Sequence, residues 1–120
     1  MKPDLWSSGV TLMKILTLLG AAGGITTFQA PAQPRDLKAF FQRTCATCHG
    51  PDGTGRAVNG ARLFGRNLAD PKWQARQKDS DLVKIIFLGK GSMPGFRGQL
   101  TEDECKLMVS DIIRPLAAKK

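Results

Sequence analysis

The sequence predicts a small helical domain with long loops, and three observations predict it. Apolar residues recur at helical spacing over Leu37, Phe40, Phe41 and Thr44-Cys45, over Leu82, Ile85 and Ile86, and over Cys105, Met108, Val109 and Ile112. Each run carries its own boundary signals. Asp36 stands where an N-cap belongs, Asp79-Ser80-Asp81 opens the second run and Gly89 closes it. Thr101-Glu102-Asp103-Glu104 reads as a capping box with acidic side chains on the positive helix end, and Arg114 lies in the last turn before Pro115. Between the first two runs, Arg56 to Lys78 offers only scattered apolar residues: Leu63, Phe64, Leu68 and Trp73. A loop of that length belongs in a compact domain only if it wraps something.

What it wraps is suggested by the end of the first helix, Cys45-Ala46-Thr47-Cys48-His49. C-x-x-C-H is the spacing of covalent haem attachment. On a helix Cys45 and Cys48 share one face, so both thiols reach the vinyl groups on one haem edge, and His49 follows where its imidazole can ligate the iron. Two rivals stand beside this reading. A redox dithiol would sit in a βαβ context, and no strand pattern precedes Cys45. A zinc site would recruit Cys105 to make a Cys3His set, but neighbouring Cys48 and His49 would then have to reach one tetrahedral ion together.

The opposite side of the iron calls for a second ligand. Gly91-Ser92-Met93-Pro94-Gly95 places a methionine between glycines, and Pro94 forces Met93 out of the helical region. That is a poor setting for core packing and a good one for a thioether turned towards a metal. Met108 is the alternative, at core spacing inside the last helix. Arg62, Arg66 and Trp73 are candidates to meet the haem propionates. Cys105 falls on an apolar helix position and reads as a small buried hydrophobe.

Composition sets the compartment. An apolar run follows Lys14 from Ile15 to Ile25, and Ala30-Pro31-Ala32 supplies a cleavage site, so residues 1–32 read as a signal peptide and 33–120 as one exported domain. Residues 1–12 read either as an over-called start or as a long lead-in, and an uncleaved anchor is the alternative to cleavage. The domain keeps 16 basic and 9 acidic residues, a formal net charge of +7. No basic helix interleaved with aromatics is present, so the expected partner is an acidic protein face rather than nucleic acid, with membrane contact at most peripheral.

From Leu37 to Ile113 the chain resembles a class I cytochrome c of the small bacterial monohaem type. The resemblance rests on the Phe-rich first helix into Cys45-Ala46-Thr47-Cys48-His49-Gly50, the Gly53-Thr54-Gly55 turn, the Leu82 to Gly89 helix, the Met93-Pro94 loop and Leu100-Thr101. It implies an all-α cytochrome c fold in which three main helices and long loops surround one haem c, with first and last helices crossing. It further implies Cys45 and Cys48 as thioether attachments, His49 as proximal ligand and Met93 as distal ligand. The implied function is single-electron transfer in the periplasm between redox partner proteins, without catalysis and without a small-molecule substrate at the iron. A dedicated haem subunit or docking partner of a dehydrogenase or terminal oxidase is the alternative. A peroxidase-like centre would need an open distal site, against which Met93 argues. Two departures stand out: no aromatic near Asp111, and Ala61-Arg62 where many members place proline, which leaves the carbonyl partner of His49 Nδ1 unassigned.

Overall fold

The computed structural model describes residues 34–119 together with Gly24. The expected signal peptide therefore lies outside the described residues, Gly24 excepted. Helix α1 (37–49) starts on Asp36, whose carboxylate accepts from the Ala39 N–H at 2.9 Å. Its middle, Phe41–Cys45, is a wider π turn in which the Ala46 N–H reaches back to the Phe41 carbonyl. The helix ends at Gly50, where a φ of 81° turns the chain away.

Residues 50–78 form the long connection between helices. Within it, Pro71–Gln74 is a single helical turn, α2, capped by Asp70 with proline at the first position. This turn is a correction to the structureless stretch expected from Arg56 to Lys78. Helix α3 (Asp79–Leu88) carries two acids in its first turn and ends at Gly89. A two-residue antiparallel ladder follows, β1 (Gly89–Lys90) against β2 (Met93–Pro94), pairing Lys90 with Met93.

Helix α4 (102–116) opens with the expected capping box between Thr101 and Glu104. It does not stop before Pro115 but runs through it to Leu116. A proline inside a helix has no N–H and crowds the carbonyl four residues back, here Asp111. Met108–Ile113 relieves this by opening into a π turn, so that the Arg114 N–H bonds to Val109.

The helices meet in one apolar cluster. Phe40 and Phe41 of α1, Leu82 and Ile86 of α3, and Cys105, Met108, Val109 and Ile113 of α4 are buried together with Phe96. Phe40 packs edge-on against Phe96, with ring centroids 5.8 Å apart. First and last helices thus touch without an aromatic at Asp111, which is exposed. Cys105 is fully buried, as its helix position predicts.

Candidate functional site

A cavity of about 1010 Å³ opens between α1, α3, the long loop and the β1–β2 ladder. That is the upper end of the roughly 300–1,000 Å³ usual for cofactor sites. Its walls are mainly apolar, with Phe41, Leu68, Leu82, Ile85, Ile86 and Phe96 among them. Its polar lining includes Arg43, Arg66, Arg76 and Lys90. Cys45, Cys48, His49 and Met93 all face this one space. An apolar, aromatic body with an acidic edge suits such a lining.

The last turns of α1 present both cysteines and the histidine, and the loop then fastens itself to that helix end. The Gly65 N–H donates to the Cys48 carbonyl at 2.7 Å, and the Gly55 N–H to the His49 carbonyl at 2.6 Å. These are helix C-terminal carbonyls that have no partner within the helix. Gly65 must be glycine for this approach, because an added Cβ would lie 2.4 Å from the Cys48 oxygen.

The imidazole is oriented by the same loop. His49 Nδ1 lies 2.9 Å from the Arg66 carbonyl oxygen. A carbonyl only accepts, so Nδ1 carries the proton and Nε2 keeps its lone pair. This supplies the partner that the sequence left unassigned, and it is the tautomer a metal-binding imidazole needs. Sequence reasoning had no means of finding it, since a main-chain carbonyl carries no residue-type signal.

Burial pushes the Cys45 thiol up to about 11, so it is neutral at pH 7. A redox dithiol depends on a depressed thiol pKa, which this is not. The zinc alternative fails on placement: Cys105 sits in the α4 core, away from the cavity lining. Among the described residues, no group of three or more His, Cys, Asp or Glu side chains gathers around a common point.

Of the three residues expected near an acidic cofactor edge, two line the cavity. Arg66 and Trp73 do so together, with the guanidinium 5.3 Å from the indole centroid. Arg62 does not. It lines a neighbouring cleft of about 540 Å³ with Arg56, Arg66 and Phe64, and its backbone bridges to Arg56. Phe64 lines both spaces and is wholly exposed. Met108 also lines the main cavity, but it is 1% exposed within the core, whereas Met93 is half-buried on the ladder.

Two polar residues hold the frame around this site: Gln74, which the sequence did not single out, and Arg114, which it marked only as a basic residue of the last helical turn. Gln74 is buried, and its side chain bonds the Leu68 and Ile113 carbonyls. Arg114 bonds the Gln74 and Gln77 carbonyls and the Asp79 carboxylate, joining α4 to α2 and α3. Helical periodicity finds apolar faces and is blind to such bridges.

Comparisons with known proteins agree with the geometry. Residues 32–110 match the family described as cytochrome c oxidase, cbb3-type, subunit III. Cytochrome c6 of Synechocystis sp. is 32% identical over 85 residues, which cover 68% of each chain. The cbb3-type cytochrome c oxidase subunit FixP of Rhizobium meliloti is 33% identical over 90 residues, 72% of this chain but 30% of that one. The chain thus spans under a third of the FixP subunit it matches. Among solved structures, the KustC0563 c-type cytochrome superposes with a TM-score of 0.53 at 28% identity, covering 72% of this chain and 99% of that one. The cavity, the helix end that presents both cysteines and the oriented imidazole thus meet a family match over most of the domain, and the chain belongs to that family: it is a small class I c-type cytochrome, an electron-transfer protein whose cofactor is covalently bound haem c.

Proposed function

We propose that this chain is a periplasmic protein that shuttles single electrons through one haem c held by Cys45, Cys48, His49 and Met93. Residues 1–32 direct export and residues 33–120 form the working domain. The observation that carries the reading is the His49 tautomer: Nδ1 is committed to the Arg66 carbonyl, which leaves Nε2 facing a cavity that both cysteines and Met93 also line.

Haem, when bound, supplies an iron that changes its charge by one electron. The chain supplies the setting. Cys45 and Cys48 offer thiols for thioether bonds, and His49 offers a fixed lone pair. Met93 offers a soft thioether on a backbone paired to Lys90. Met93 is the better distal candidate than Met108, because Met108, though it lines the cavity, is held in the α4 core at 1% exposure, whereas Met93 is half-buried on the ladder. Were His49 and Met93 both to hold the iron, no position would be left on it for a small-molecule substrate and no bond chemistry would follow.

Docking falls to the surface. Arg56, Arg62 and Arg66 lie beside wholly exposed Phe64 at the edge of the cavity, a face suited to an acidic redox partner. Nucleic acid is a poor fit, since the positive charge is not gathered on a helix with aromatics. Among the described residues no helix is long and apolar enough to cross a membrane.

Expression with haem-maturation machinery tests the reading. The protein should stay coloured after denaturing electrophoresis and gain the mass of one haem. Colourless protein holding stoichiometric zinc would overturn it. A second reading is favoured by the match to an oxidase subunit family: a dedicated haem c subunit or docking partner of a dehydrogenase or terminal oxidase. Stable co-purification with such a complex would decide for it.

A further inference from the structure

We infer that Gln74 is a positioning residue for the iron's histidine ligand, holding the loop whose Arg66 carbonyl fixes His49 and thereby keeping the reduction potential low. The inference rests on His49 being that ligand, as proposed above.

Gln74 does not line the cavity. It is 5% exposed, and its Nε2 donates one hydrogen to the Leu68 carbonyl and the other to the Ile113 carbonyl, each at 2.7 Å. Leu68 is two residues beyond Arg66, and its own N–H is tied to the Gly53 carbonyl at 2.6 Å. On the other side of Arg66, the Gly65 N–H is tied to Cys48. Those two bonds fasten the loop to α1 and the turn after it. Gln74 fastens the same stretch to α4, so the Arg66 peptide is braced from both sides of the domain.

Gln74 reaches both acceptors where regular pairing gives out. The Ile113 carbonyl would ordinarily bond the Ala117 N–H, but that group turns to Arg114 at 3.3 Å. Leu68 lies in irregular chain without a ladder partner. The Gln74 backbone is itself held, because Arg114 donates to its carbonyl at 2.7 Å and to that of Gln77 at 2.8 Å. Only a group with two hydrogens on one atom can serve two converging carbonyls here. Glutamate has the shape but would set oxygen against oxygen.

The effect on iron follows from the hydrogen bond at Nδ1. A firm acceptor there makes the imidazole more basic, and a more basic ligand favours the higher charge of the oxidised state. Freeing the Arg66 carbonyl weakens that bond and raises the potential. A merely structural role predicts the reverse sign. A loosened fold admits water, which favours the charged oxidised state and lowers the potential.

The test uses the haem-loaded full chain with Gln74→Leu, read by potentiometric titration and by NMR exchange of the His49 Nδ1 proton with solvent. The expected result is an upward shift in potential with faster proton exchange, the axial ligand spectrum being unchanged. A fall in potential, or no shift with wild-type proton exchange, overturns the inference. If Gln74→Leu yields no loaded protein, Arg114→Lys takes its place. It releases the Gln74 backbone while keeping the carboxamide, and the same directions decide. Failure of the underlying reading looks different: the wild-type protein itself would lack a histidine-ligated haem.

Discussion

Replacing Gly65 with alanine attacks the point where the long loop rests on the attachment helix. An added Cβ would lie 2.4 Å from the Cys48 oxygen, 2.5 Å from its carbonyl carbon and 2.8 Å from the His49 nitrogen. All three are backbone atoms of a helix end, so no side chain can swing aside. The first contact must open to at least 3.0 Å, and the loop has to withdraw by the difference. That movement stretches the Gly65 to Cys48 bond, now 2.7 Å, and carries the next carbonyl, Arg66, away from Nδ1, now 2.9 Å distant. Overpacking of this kind costs about 1–3 kcal/mol. A weakened hydrogen bond adds about 0.5–1.5 kcal/mol. The sum, about 1.5–4.5 kcal/mol, should lower the thermal midpoint of the loaded protein by about 6 °C or more, given about 4–8 °C per kcal/mol for a domain of this size. Thermal unfolding followed at the haem absorption band measures it. Gly65→Ala with the wild-type midpoint and potential would refute the claim that this contact sets the loop's position. Gly60→Ala is the control for added bulk alone, since nothing lies within 4 Å of a Cβ there, although its φ of 83° adds some strain.

Three further outcomes are expected. Met93→Ala should abolish the weak thioether-to-iron band at the red end of the oxidised spectrum and open the iron to cyanide, with the haem still attached; Met108→Ala producing that result instead would transfer the distal role to Met108. Electron transfer to the physiological partner should slow as salt rises past the point where the Debye length is about 8 Å, and Arg62→Glu should slow it further at low salt; a salt-independent rate would indicate an apolar docking face around Phe64. The Thr54 hydroxyl and N–H hold the Asp52 carboxyl below its ordinary value, and the Thr101 backbone and then Arg35 do the same for Glu104. A carboxyl lowered in the folded state stabilises the fold above its unfolded pKa and ceases to do so as pH falls through the folded one. Thermal midpoints should therefore be flat from pH 7 to about 5 and decline below about 4, with Thr54→Val flattening part of that decline, a prediction that pH-resolved melting curves check.

The parts of this protein that could be read from sequence are those where residue type and spacing carry the information. Helix α1 delivers Cys45, Cys48 and His49 to one space because its period places them there, and the Thr101 and Glu104 cap declares α4 outright. Asp70-Pro71 is an equally good start signal for α2, but a single turn has too few residues to show a period. Pro115 misleads in the opposite sense: the π turn before it absorbs the clash that usually ends a helix. The Arg66 carbonyl and the Gln74 bridge depend on where distant segments come to rest. Arg62 and Arg66 look alike in sequence, yet only Arg66 turns towards Trp73 and the main cavity.

The long loop is fastened at its two bases and unencumbered at its tip. Gly55 and Gly65 press against the attachment helix, while Ala57 and Ala61 close a small turn on which Val58 is 93% exposed. Sequence at the tip can therefore vary in length and chemistry without reaching the metal's surroundings. Such a turn is a natural place to graft a foreign peptide, a fluorophore or a surface anchor. In an engineered electron conduit, wiring could be changed at Val58-Asn59-Gly60 while the redox centre keeps its tuning, so that address and voltage become separately adjustable.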